Sequence, residues 1–133
     1  MSPALKETIE FWQKSAANDW KTANGLFDLK RYDSCLFFCH LTLEKALKGL
    51  VVQNTKQLSP FIHDLTKLAE MAKLDLTENQ IDDLKTITTF NISARYGDIK
   101  LNFYKKCTLN FTKKYLKITK TLYLWLKKYC QKK

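Results

Sequence analysis

Apolar residues recur at alternating three- and four-residue steps near the start of the chain. Ile9, Trp12, Ala16, Trp20, Ala23 and Phe27 make one stripe, the signature of an amphipathic helix. The pattern predicts a first helix over about Leu5–Phe27, with Gly25 and the Asp28–Arg31 stretch at its fraying end. A second helix is expected from Asp33, a good N-cap. Its apolar residues (Cys35, Leu36, Phe38, Cys39, Leu43, Ala46, Leu47, Leu50, Val51) spread too widely for one stripe, which predicts the central, most buried helix. Gln53–Ser59 reads as a polar turn. Ser59-Pro60 reads as an N-cap with proline at the first helical position, placing a third helix over about Pro60–Lys73. Thr77-Glu78-Asn79-Gln80 matches a capping box and predicts a fourth helix over about Glu78–Ile92, with Ile81, Leu84, Ile87 and Thr88 inward. Ser93–Asn102, holding Gly97 and Asp98, reads as a loop or broken helix end. A last helix is expected over about Thr108–Tyr129. On it Phe111, Tyr115, Ile118, Leu122, Trp125, Leu126 and Tyr129 fall within about 100° of arc, opposite Lys113, Lys117, Lys120 and Lys127. Leu116 and Leu124 lie outside that stripe and point to a second packing partner, such as a subunit interface.

The expected fold is therefore all-α: an antiparallel up-and-down bundle of about five helices, a single domain spanning residues 1–133. Composition agrees. Three glycines and two prolines are too few for the turns of a sandwich or barrel. A hydrophobic content of 45% excludes a disordered chain. No apolar run is long enough to cross a bilayer, and the first residues lack the order of a signal peptide. The expectation is a cytoplasmic protein away from membranes. Cys35, Cys39, Cys107 and Cys130 are too scattered for a disulfide framework. Cys35 and Cys39 with His40 are conceivable metal ligands, but a closed zinc site needs four ligands at recognisable spacing, so buried thiols acting as small hydrophobes are the expected reading. No metal or cofactor is implied.

Charge changes the picture. The net charge is +10, and all of the excess lies in residues 99–133, which carry eleven lysines and no acid. Such a surplus suits nucleic-acid phosphates or an acidic partner protein, or is simply a solvated helix face.

Polar residues also sit where a bundle helix would be apolar. His40, Glu44 and Lys48 form one row at four-residue spacing. They read either as local pairs at the bundle surface, Glu44 with Lys48 in the favourable order, or as one wall of a polar cleft against the third helix. His63 and Asp64 fall in the expected first turn of that helix, where Asp64 complements the dipole and His63 covers the helix end or pairs with a charge on helix two. Arg95 is one of only two arginines in a lysine-rich chain. It is read as a bidentate grip on phosphate or carboxylate, or as a buried ion pair to an acid such as Glu44.

Trp12 and Asp19, the run Arg31-Tyr32-Asp33-Ser34-Cys35 leading to His40 and Glu44-Lys45-Ala46-Leu47-Lys48, then His63-Asp64-Leu65 and Ala94-Arg95-Tyr96 together resemble the HEPN domain, over roughly residues 5–128. The resemblance implies an antiparallel helical bundle, usually a homodimer, often paired with a minimal nucleotidyltransferase in a toxin–antitoxin or substrate-binding system. It implies nucleotide binding, with Glu44, Lys45, Lys48, His63, Asp64, Arg95 and Tyr96 at the family's polar positions. Some branches are metal-independent ribonucleases carrying an arginine with a histidine a few residues later. No histidine follows Arg95, and Gly97 replaces the proline common after the arginine–tyrosine pair. The expected function is accordingly a non-catalytic nucleotide- or phosphate-binding partner of a nucleotidyltransferase. A degenerate RNA-cleaving toxin using the lysine face, or a structural subunit docking on an acidic partner, are the alternatives.

Overall fold

The structure, a computed structural model, describes residues 1–93 and 97–130. Among these the chain forms six helices and no strand: α1 (Pro3–Asp28), α2 (Tyr32–Thr55), α3 (Leu65–Met71), α4 (Glu78–Ser93), α5 (Gly97–Lys106) and α6 (Leu109–Lys127). The architecture is the antiparallel helical bundle expected, with one helix more.

Helix α2 is the centre. It packs most extensively along α1 and also touches the other four helices. From Thr42 to Val52 every residue except Lys45 is buried. A fully buried leucine contributes about 1.5–3 kcal/mol of transfer free energy, so Leu36, Leu43, Leu47 and Leu50 anchor the fold on this one helix. It starts at Tyr32, with Arg31 rather than Asp33 at the N-cap; Asp33 lies in the first turn, where its charge still favours the helix dipole.

Three helices end without glycine. Lys30, Lys56 and Lys73 take φ of 60°, 58° and 63°, the left-handed conformation in which glycine is usual. Beyond α1, Lys30 and Arg31 donate to the carbonyls of Phe27 and Leu26; beyond α3, Lys73 and Leu74 donate to those of Glu70 and Ala69. Both are Schellman closures that satisfy the last carbonyls of the helix. This is how so glycine-poor a chain makes its turns.

Two expected elements are corrected. Helix α3 begins at Leu65, not Pro60. Asp64 is its N-cap, accepting from the backbone N–H of Thr66 and Lys67, and this aspartate captures the helix start from Ser59-Pro60. Asp64 therefore caps a helix, and Asp64→Ala is expected to cost about 1 kcal/mol in urea unfolding, as for other N-caps. The stretch Ser93–Asn102 is not simply a loop, since α5 opens at Gly97. Asp98 in its first turn and Lys105 and Lys106 in its last complement the dipole, and Phe103 is buried against Phe90, ring centroids 5.4 Å apart.

Helix α6 starts where expected, with Thr108 as its N-cap, but has a rotated inner face. Its buried residues are Thr112, Thr119, Leu122, Tyr123 and Leu126, turned about 70° from the aromatic stripe at 100° per residue. Two threonines, Thr112 and Thr119, are fully buried on this face, and Thr119 lies beside Cys39 of α2. The displaced aromatics are left half-buried along the edge, Trp125 among them, while Tyr129 lies past the helix end.

Candidate functional site

The polar row of α2 is buried, not at the surface. His40, Glu44 and Lys48 are 0%, 4% and 5% exposed. Each charge must then be met locally, because an unpaired buried charge costs several kcal/mol. Glu44 does this with both oxygens. Its Oε2 accepts from Lys48 Nζ at 3.0 Å, and its Oε1 accepts from His63 Nδ1 at 2.8 Å.

The segment between α2 and α3 supplies His63. Asp64 capping α3 holds the residue just after it, and His40 Nε2–H donates to the His63 carbonyl at 2.9 Å. One helical row thus grips His63 twice, by its backbone through His40 and by its ring through Glu44. The His63 side chain is 51% exposed. Because the carboxylate accepts the hydrogen bond from Nδ1–H, Nε2 is the ring nitrogen left to hydrogen-bond elsewhere. Of the two readings for His63, pairing with helix two is the one adopted.

Burial pushes the Glu44 carboxyl up, but the hydrogen bonds from His63 and Lys48, with the charges of His40 and Lys48, outweigh it and hold the group below the usual carboxylate range. The Lys48 ammonium also lies 5.3 Å from the centre of the Trp12 ring on α1, a cation–π contact. Gly49 makes room for that tryptophan: a Cβ there would sit 3.3 Å from Trp12 Cβ. Trp12 and Gly49 thereby complete the cluster, a role for Trp12 that its place on an apolar stripe does not signal.

Lys45 faces away from this cluster. Its Nζ lies 2.7 Å from Asp19 Oδ2 of α1, and Asp19 is 5% exposed. This pair clamps α1 to α2. Arg95 and Tyr96 fall outside the described residues. Lys113, Lys117, Lys120 and Lys127 are all exposed, as expected, and none is within ion-pair distance of a carboxylate among the described residues.

Cys39 and Cys107 are buried, unreactive fillers. The hydrogen bond with Cys35, together with burial, raises Cys39 well above a normal thiol, and burial pushes Cys107 up to about 12, so neither supplies thiolate near neutral pH. Among the described residues no group of three or more His, Cys, Asp or Glu is arranged to hold a metal, and no helix is long and apolar enough to cross a membrane.

A family model described as HEPN domain matches residues 9–129. The chain belongs to the HEPN domain family. A search of curated proteins found no match. Among solved structures, the crystal structure of TT1696 from Thermus thermophilus is similar, with a TM-score of 0.73 at 19% identity, covering 90% of this chain and 96% of that one. At that identity the likeness concerns the fold. In this HEPN domain the polar positions picked out from the sequence that lie among the described residues divide into three groups. Glu44, Lys48 and His63 come together, Lys45 joins Asp19 in a separate clamp, and Asp64 serves as a helix cap.

Proposed function

We propose that this HEPN domain binds a nucleotide or another phosphate-bearing ligand without cleaving it, and acts as a homodimeric partner of a minimal nucleotidyltransferase in a toxin–antitoxin pair. The observation that carries the binding reading is the posture of His63: a half-exposed imidazole held at 2.8 Å by a buried carboxylate. An oriented imidazole anchored to a rigid helical row is a ready hydrogen-bond partner for a phosphate or a base edge. Glu44, Lys48 and His40 are spent on each other and on His63, so their role is support; His63, with Arg95 and Tyr96, meets the ligand. The pairing and the dimer rest on the family resemblance. Non-cleavage rests on the absence of a histidine after Arg95.

Isothermal titration of ATP and GTP into the purified chain tests this reading. The expected result is saturable one-site binding that is lost in Arg95→Ala and in His63→Ala, with both variants still folded. Absence of heat from the wild type would refute it, and so would RNA cleavage by the purified chain.

A further inference from the structure

A groove opens at the N-terminal end of α4. The groove between the first turns of α4 and the outer edge of α6 has a volume of about 630 Å³ and is lined by Asn79, Gln80, Asp83, Lys117, Thr121 and Trp125, among others. Its floor is apolar, from Ile118 and Leu122. The rotation of α6 made it, by leaving Trp125 on the edge facing α4. The groove shares no lining residue with the His63 cluster, so it is a separate site.

From these features we infer that the groove takes one base of a single-stranded nucleic acid. Its volume falls in the usual range for small-ligand pockets, roughly 300–1,000 Å³. Trp125 supplies the aromatic surface on which a base stacks. Asn79 and Asp83 supply hydrogen-bonding groups for a base edge or sugar. Lys117 and Lys128 stand at the groove with no carboxylate within ion-pair distance among the described residues, leaving both free for phosphate. A strand is favoured over a free nucleotide because exposed lysines continue beyond the groove on α6, at Lys113, Lys114, Lys120 and Lys127. A charged track beside an aromatic platform is the arrangement that binds single strands with little sequence preference.

The test is fluorescence anisotropy with labelled poly(A) and poly(U) single strands at low and high salt, with AMP as the free nucleotide. The indole N–H resonance of Trp125, assigned through Trp125→Phe, is followed in parallel. Wild type should bind the strands, more weakly at high salt, with the Trp125 resonance moving on titration. The double variant Lys117→Glu/Lys128→Glu should weaken binding about tenfold or more. Lys6→Glu/Lys21→Glu, exposed on α1 and matched in net charge, should weaken it far less. Equal losses in the two double variants would reduce the effect to net charge and overturn the site. So would strand binding that leaves Trp125 unmoved, or no strand binding at all. Affinity for AMP equal to that for the strands, with AMP moving the Trp125 resonance as far as they do, would assign the groove to a free nucleotide and overturn the strand. None of these results depends on Arg95→Ala or His63→Ala, so the two sites stand or fall separately.

Discussion

Glutamine in place of Glu44 is expected to destabilise the bundle by about 3–5 kcal/mol, the cost of stranding one member of a buried ion pair. The substitution keeps the shape and a carbonyl acceptor but removes the charge that Lys48 needs, and the Lys48 side chain is only 7% exposed. Urea unfolding monitored by circular dichroism should show a lower midpoint at an unchanged slope. The double variant Glu44→Gln/Lys48→Met should recover much of the loss, since a buried pair replaced by neutral groups of similar size is often near neutral. If the double variant is as unstable as the single, Lys48 is not the charge at stake. The effect also depends on pH. The folded-state pKa of Glu44 lies below its ordinary value, so its contribution is fully present above the unfolded value, about 4.3, and is lost as pH falls through the lowered one. The gap between wild type and Glu44→Gln should therefore be widest near neutrality and close in acid.

Phe90→Ala is the second large effect, about 3–5 kcal/mol for an aromatic truncated in a core. Phe90 is 2% exposed, and its ring meets Phe103 of α5 at 5.4 Å and Phe111 and Tyr115 of α6 at 6.2 and 5.4 Å. One side chain thus joins three helices. Beyond the loss of stability, amide hydrogen exchange should accelerate selectively across Gly97–Lys106, because α5 is short and Phe103 is its buried residue. Uniform acceleration across all helices would mean that α5 does not depend on this ring.

The contrast between α4 and α5 shows what the sequence made legible. The capping box at Thr77 is local, and it forms as read: Gln80 Oε1 accepts from Thr77 N–H at 2.9 Å, and Thr77 Oγ1 accepts from Gln80 N–H at 3.1 Å. Helix α5 is hidden because Gly97 looks like a breaker, while the helix owes its existence to a distant contact with Phe90. Pro60 misleads for the opposite reason. Its local signal is good, but His40 and Glu44 of another helix fix His63, and Asp64 then starts α3 later. In the site, the four-residue row on α2 is readable from spacing alone. The choice between Glu44 and Asp19 as partner for each lysine is not, because it depends on which side of α2 meets α1.

The left-handed lysines carry a consequence for engineering. A non-glycine residue in that conformation costs roughly 1 kcal/mol, and the chain bears this at Lys30, Lys56 and Lys73. The three helix ends are separate, so gains from glycine there should add. Lys30→Gly, Lys56→Gly and Lys73→Gly together offer a thermostabilised variant that leaves the α6 lysines and the His63 cluster untouched. The margin needed to carry disruptive substitutions at either proposed site is thus already available at positions that serve neither.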